Sequence, residues 1–347
     1  MIAANLPRGP LMIDIAGTEL STLDRERLLH PLIGGVILFA RNYRDREQLT
    51  DLCCSIHALR SPLLPIAIDH EGGRVQRCRD GFTRLPPMRQ LGVWWDREPA
   101  AAIKAARSVG YILAAELRAC GVDFSFAPVL DLDWGRSGVI GDRAFHRDPQ
   151  AVTQLAGALI AGMHAAGMAC CGKHFPGHGW AEADSHVAIP VDERSLSELA
   201  TDMLPYRSLN LDAVMPAHVI YPRIDAHPAG FSPVWIGMLR RDFGFAGAVF
   251  SDDLSMEGAS VAGDIVARAA AALAAGCDML PVCNAPDAVG QLLAAWRPER
   301  DEAREQRIAR LVANRPALPL DSLVHNPEWV AASLACRQLA ESPATVT

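Results

Sequence analysis

The chain has 347 residues, of which half are apolar and about a fifth are charged. This composition is ordinary for a globular protein with a substantial core. The net charge of −7 argues against nucleic-acid binding, because neutralising phosphates requires clustered Lys and Arg. No stretch approaches the roughly 20 continuous apolar residues of a membrane span. The N-terminus also lacks the basic segment and long apolar run of a secretory signal.

The nine cysteines are scattered along the chain and show no CxxC spacing. This pattern suits free thiols in a reducing compartment better than a disulfide framework or a zinc site. We therefore expect a cytoplasmic protein.

Eight short apolar runs alternate with longer helical patterns, which is typical of βα units around a parallel sheet. The runs cover residues 11–17, 34–39, 62–69, 121–132, 167–174, 211–218, 246–253 and 276–282. Their apolar character is continuous, as expected for strands that are covered on both faces. The first strand is not followed by a GxGxxG motif, which weakens a dinucleotide-binding interpretation. The pattern predicts an α/β protein with one (β/α)₈ TIM-type barrel over residues 1–316, and a peripheral segment over 317–347.

Ionisable residues stand at the ends of several predicted strands. Asp69 ends the third, the pair Lys173–His174 the fifth, His218 the sixth, and the pair Asp252–Asp253 the seventh. Functional groups of such barrels gather at the carboxyl ends of the strands, and burying charges there is costly unless they are paired or used. For Asp253 a helix N-cap is the structural alternative.

The loop after the fifth strand contains KHFPGHG, then Asp184 and His186. An Asp two residues before a His can fix the imidazole tautomer and raise its basicity, which suits proton transfer near neutral pH. The alternative is a metal site or a purely structural role, since His174, His178 and His186 lie within thirteen residues.

Five segments together resemble glycoside hydrolase family 3. They are IDHEGGRVQR (68–77), GDRAF (141–145), KHFPGHG (173–179), DSH (184–186) and FSDDLSM (250–256). They occur in the family's order, and the resemblance is greatest to its single-domain bacterial β-N-acetylglucosaminidases of cell-wall recycling.

The resemblance implies a role for each matching residue. Asp252 corresponds to the nucleophile, His186 to the acid/base and Asp184 to the group that orients it. The substrate-binding residues implied are Asp69, Arg77, Arg143, Lys173 and His174. Glu71 and Arg74 are interpreted as structural supports of their loop.

The implied reaction releases terminal β-linked N-acetylglucosamine from muropeptides by a double displacement that retains configuration. The resemblance implies a small-molecule substrate, no cofactor or metal, and no nucleic-acid or membrane partner. We expect a monomer. Because His186 lies on a loop, we expect that loop to close over the substrate, with hinges at Gly177 and Gly179.

Two residues depart from the family pattern: His70 stands where Gln is more usual, and Trp180 where smaller or polar residues are commoner. Four other functions remain open. They are a metal-dependent amidohydrolase on the same barrel, an inactive sugar-binding relative, Schiff-base chemistry at Lys173, and phosphorolysis in place of hydrolysis.

Overall fold

The computed structural model describes residues 4–183, 189–313 and 315–341. Its centre is an eight-stranded parallel sheet. The strands, taken as the first to the eighth in chain order, are Leu11–Asp14, Ile33–Leu38, Ile66–Ile68, Phe124–Ser125, Ala169–Phe175, Ala213–Pro216, Ala248–Val249 and Leu280–Val282. From the first to the seventh, each strand pairs with the next in the sequence, and the eighth pairs with the first. A bridge between Phe250 and Met279 joins the seventh strand to the eighth, with the Ser251 N–H donating to the Met279 carbonyl at 2.9 Å. The predicted (β/α)₈ fold is confirmed, and each predicted run overlaps one strand.

Side chains from opposite strands fill the interior of the barrel. The second strand is buried at all six positions, which explains its unbroken apolar sequence. The rings of Phe124, Phe126 and Phe250 lie 5.1 to 5.7 Å apart in edge and tilted contacts. Phe124 lies in the fourth strand and Phe126 just after it, while Phe250 directly follows the seventh strand. These two strands are not neighbours in the sheet, so the rings meet across the interior. The barrel is therefore a packed core and its open end is the place for a site.

The helices α1 to α13 follow in chain order. Their bounds are Thr22–Leu28, Arg46–His57, Met88–Trp95, Pro99–Ala119, Pro149–Ala165, Leu196–Leu199, Leu204–Ser208, Pro233–Gly237, Ile265–Ala275, Pro286–Ala295, Glu302–Ala309, Leu320–Leu323 and Pro327–Glu341. Local sequence sets several ends. Pro99 occupies the first turn of α4, the Asp148 side chain accepts from Gln150 N–H at the start of α5, and Gly276 ends α9 in the left-handed conformation. Among the described residues, no helix has the length and apolar character needed to cross a bilayer.

Short antiparallel ribbons extend the carboxyl end of the barrel. His70–Gly72 pairs with Val75–Gln76 after the third strand, and Ile220–Tyr221 pairs with Asp225–Pro228 after the sixth. The first ribbon lies between Asp69 and Arg77, and its residues Glu71 and Val75 line the space above the sheet, whereas His70 does not.

The segment after residue 316 packs on the outside of the barrel. Helix α13 contacts α4 and buries Ala332, Cys336 and Leu339, while Trp329 Nε1 donates to Glu116 Oε1 at 3.2 Å. The position of a boundary near residue 316 stays a prediction.

Candidate active site

A cavity of about 530 Å³ opens at the carboxyl ends of the strands. Its wall includes all of the predicted site residues that the structure describes, namely Asp69, Arg77, Arg143, Lys173, His174 and Asp252. The structure thus brings together residues separated by up to 183 positions in the sequence. Their roles in binding and catalysis stay predictions.

A chain of alternating charges lines one side of this cavity. Lys173 Nζ lies 2.8 Å from Asp69 Oδ1 and 2.7 Å from Glu71 Oε1. Arg143 donates to both oxygens of Glu71 through Nε and Nη2, each at 2.8 Å. Arg77 Nη2 approaches Asp69 Oδ2 at 3.4 Å. Such bidentate, charge-assisted bonds hold the donor groups in fixed directions.

Glu71 is the link between the two cations. Its side chain is only 3% exposed, and burial alone would favour its neutral form. Arg143 and Lys173 outweigh burial and hold the pKa of Glu71 far below its usual range. Burial likewise opposes ionisation of Asp69, while Lys173 and Arg77 lower its pKa. Both carboxylates are therefore ionised at neutral pH. Glu71 was interpreted from the sequence as a support of its own loop; the structure shows that it also holds Arg143 and Lys173, which come from elsewhere in the chain.

Asp252 follows the seventh strand and faces the cavity. Its Oδ1 accepts a 2.8 Å hydrogen bond from the backbone N–H of Asp253. Burial opposes its ionisation, but interactions with His218, His174 and that N–H lower the pKa of the Asp252 carboxyl. An ionised carboxylate in the wall of such a cavity has the properties of a nucleophile for glycosyl transfer.

Asp253 has a different environment from its neighbour. Its Oδ1 accepts from the Ser255 N–H at 2.9 Å, the Ser255 hydroxyl at 2.8 Å and the Cys283 N–H at 3.1 Å, and burial raises its pKa to about 6. These bonds link the end of the seventh strand to the end of the eighth. The expected alternative of a helix N-cap is wrong, because the following short helix begins after Met256.

Asp131 holds the segment that contains His174 and His178. Its buried carboxylate contacts His174 Nδ1 at 2.7 Å and accepts from the backbone N–H groups of His174 and His178 at 3.3 and 2.7 Å. With Nδ1 bonded to the carboxylate, His174 is left with Nε2 for the cavity. Asp131 was missed by the sequence analysis, although it ends the fourth predicted strand and the strand-end rule would have found it.

Asp184 and His186 lie outside the described residues. The described residues before and after them are held by aromatic and cationic contacts. The Trp180 ring lies between the guanidinium groups of Arg136 and Arg194, at 4.3 and 4.8 Å, and meets the Trp134 ring edge-on at 5.4 Å. Asp202 accepts from both Arg194 and Trp134. Trp180 is thus part of a rigid cluster at the base of the loop.

Close packing explains the two glycines that were expected to act as hinges. A Cβ atom on Gly179 would lie 1.9 Å from the Leu132 carbonyl oxygen, and one on Gly177 would lie 2.8 Å from Asp202 Cβ. The Gly177 carbonyl also accepts from the buried Tyr221 hydroxyl at 2.8 Å. Both positions require glycine for space in this arrangement, and their expected role as hinges stays a prediction.

Within the part of the chain that the structure describes, one group has the donors and spacing of a metal site: His164, Cys170 and Asp212. It lies at the opposite end of the barrel from the cavity, since Cys170 and Asp212 stand at the starts of the fifth and sixth strands. Asp212 already accepts from His164 at 2.7 Å and from the Cys170 N–H at 2.9 Å. The group is therefore separate from the residues predicted to bind substrate.

Sequence and structure comparisons agree on the family. The model of the glycosyl hydrolase family 3 N-terminal domain matches residues 11–311. A β-hexosaminidase of Aromatoleum aromaticum is 62% identical over 315 residues, which cover 89% of this chain and 88% of the relative. A β-hexosaminidase of Chromobacterium violaceum is 55% identical, with 97% and 96% covered. The crystal structure of NagZ from Neisseria gonorrhoeae in complex with N-trifluoroacetyl-D-glucosamine superposes with a TM-score of 0.93 at 49% identity, covering 98% of this chain and all of that one. This chain therefore belongs to glycoside hydrolase family 3.

Proposed function

We propose that this protein is a retaining β-N-acetylhexosaminidase that releases terminal N-acetylglucosamine from muropeptides. The observation that carries the proposal is the position of the Asp252 carboxyl, whose pKa is lowered, in the wall of a cavity that is also lined by Asp69, Lys173 and Arg143. The β-hexosaminidase relatives and the NagZ complex with an N-acylated glucosamine support the same reaction class and sugar.

Asp252 attacks the anomeric carbon while His186, oriented by Asp184, gives its proton to the glycosidic oxygen. The bond from the anomeric carbon to that oxygen breaks, and a glycosyl ester of Asp252 forms. His186, now neutral, takes a proton from water as the water attacks the same carbon, and the sugar leaves with its original configuration. The carboxylate of Asp69 and the cations Lys173 and Arg143 are arranged to bond sugar hydroxyls in a fixed orientation, which lowers the entropic cost of the attack. Glu71 holds the two cations in that orientation.

The reaction is tested by trapping the intermediate. A 5-fluoro N-acetylglucosaminyl fluoride keeps the acetamido group, forms the ester rapidly and slows its hydrolysis. We expect one adduct by mass spectrometry, located on Asp252 by peptide sequencing. The adjacent Asp253 is the internal control, because its carboxylate is occupied by Ser255 and Cys283. An adduct elsewhere, or an active enzyme that cannot be trapped, contradicts the mechanism.

The role of His186 as acid/base is tested by comparing cleavage rates for substrates with different leaving groups. Replacing His186 by Ala should slow the cleavage of alkyl N-acetylglucosaminides far more than that of dinitrophenyl ones, because an activated phenol leaves without protonation. Running the wild type with and without a chelator and with and without phosphate distinguishes hydrolysis from metal-dependent cleavage and from phosphorolysis. Equal losses on both leaving groups would make His186 structural.

We also propose that the protein works in the cytoplasm as a monomer. All nine cysteines lie within the described residues and none is in a disulfide; eight of them are buried, which suits a reducing compartment. Sedimentation at working concentration tests the oligomeric state.

A further inference from the structure

His178 forms part of the cavity wall but has no role in the mechanism described so far. Its side chain is buried, with the residue 2% exposed. Neither Nδ1 nor Nε2 has a hydrogen-bond partner among the described residues. A buried polar group without a partner costs free energy, so two unpaired nitrogens on one ring call for an explanation.

The surrounding structure holds the backbone that carries this ring. The backbone N–H of His178 donates to Asp131 Oδ1 at 2.7 Å, and both flanking glycines are tightly packed. The ring meets the His174 ring edge-on, with centroids 5.9 Å apart. His178 therefore lies on a backbone segment that Asp131 holds, and within the described residues both of its ring nitrogens are unpaired at the cavity.

The ring is suited to a neutral, polar ligand. Burial and the neighbouring His174 lower the pKa of His178. A neutral imidazole offers one N–H donor and one nitrogen acceptor. A sugar hydroxyl can act as either acceptor or donor toward such a ring, and an amide offers both functions.

We propose that His178 is a further substrate-binding residue, whose ring nitrogens take a hydroxyl or acetamido group of the bound sugar as their missing partner. The inference rests on the proposed function, because it takes the cavity to be the sugar site. Asp131 is then a positioning residue, which holds His174 through its ring and both histidines through their backbone.

The test replaces His178 by Phe, which keeps a planar ring of similar size and removes both nitrogens. We expect KM for an aryl N-acetylglucosaminide, and the inhibition constant of N-acetylglucosamine, to rise about three- to tenfold, the loss of one neutral hydrogen bond. The melting temperature should stay the same or rise, because an unsatisfied buried polar group has been removed. A residue that only packs against its neighbours would leave both constants unchanged.

His70→Gln is the matched control. His70 is also buried, with an unpartnered Nδ1, but it is absent from the cavity wall, and Gln is the more usual residue there. Its KM should match that of the wild type. His178→Gln, which restores a donor and an acceptor, should recover part of the lost binding.

A measurement on the wild type tests whether the His178 ring contacts the sugar, even if the Phe variant does not fold. In protein labelled with ¹⁵N-histidine, saturating N-acetylglucosamine should shift the His178 ring signals, assigned by their absence from a His178 variant. Constants within twofold of wild type in His178→Phe, or unshifted ring signals under saturation, would overturn the proposal. A wild type that releases no N-acetylglucosamine would instead contradict the proposed function.

Discussion

At the residue scale, the geometry of the cavity wall depends on the buried carboxylate of Glu71. Glu71 bonds Lys173 and Arg143 together, and all three side chains are at most 11% exposed. A buried ion pair of this kind contributes little net stability compared with apolar packing, but removing one partner leaves the others uncompensated. The network therefore fixes the directions of the two cationic donors. In return, the stability of the fold depends strongly on each of the three residues.

Glu71→Gln should lower the free energy of unfolding at pH 7 by about 3 kcal/mol and raise KM by roughly tenfold, the equivalent of one charge-assisted hydrogen bond. The sign of the pH dependence follows from the lowered pKa of Glu71. The stability it contributes is present above its unfolded pKa of about 4.5 and is lost as pH falls. In urea denaturation, the difference in unfolding free energy between the wild type and the variant should fall by about 1.4 kcal/mol for each pH unit below pH ~4.5.

The control for this variant is Glu328→Gln. Glu328 forms an exposed pair with Arg107 at 3.9 Å, and exposed pairs contribute less than about 1 kcal/mol. A Glu71 variant no less stable than this control would contradict the buried-network account.

At the element scale, the loop after the fifth strand packs against the segment that follows the fourth strand. Asp131 and the Leu132 carbonyl come from the end of the fourth predicted strand, and they contact His174, His178 and Gly179. The absence of a side chain at Gly179 is what allows the two backbones to approach. This contact places the two histidines beside the cavity.

Gly179→Ala should therefore lower both stability and activity. The added Cβ would lie 1.9 Å from the Leu132 carbonyl oxygen, so one of the two backbones must move, at a cost of about 1–3 kcal/mol or more. Thermal unfolding and kcat/KM measure the two effects. Gly17→Ala is the matched control, because nothing lies within 4 Å of its Cβ position; similar losses in both variants would count against close packing as the reason for Gly179.

At the scale of the whole molecule, the barrel and its outer helices form one buried core. Helix α13 adds to it from outside by packing on α4, far along the chain from the strands that carry the cavity residues. Substitutions in this helix are therefore expected to change the stability of the protein without changing its catalytic activity.

Two leucines of α13 offer a direct comparison. Leu339 is 3% exposed and Leu334 is 57% exposed. Leu339→Ala should cost about 2–4 kcal/mol of unfolding free energy through the cavity it leaves, whereas Leu334→Ala should cost less than about 0.5 kcal/mol. Denaturant titrations measure the difference. Both variants should keep the wild-type kcat/KM, and a large fall in activity for Leu339→Ala under stabilising conditions would show that α13 acts on the cavity.

The sequence by itself determined the barrel, because continuous apolar runs at regular spacing are a local property that depends on burial of both strand faces. It also pointed to Asp69, Lys173, His174 and Asp252, since each ends an apolar run where an ionisable group is unexpected. Arg77 and Arg143 came only from the family resemblance.

Only the tertiary structure decided what these residues touch. Glu71 looked like a loop support because its partners Lys173 and Arg143 are 102 and 72 positions away, and nothing local to a sequence reports such pairs. The same holds for Asp131, which joins the fourth strand to His174 and His178. The close packing of Gly177 against Asp202 and of Gly179 against Leu132 was likewise not visible in the sequence, which suggested these glycines only as hinges. Strand positions follow from local pattern, whereas ion pairs and close approaches depend on where folding brings distant segments together.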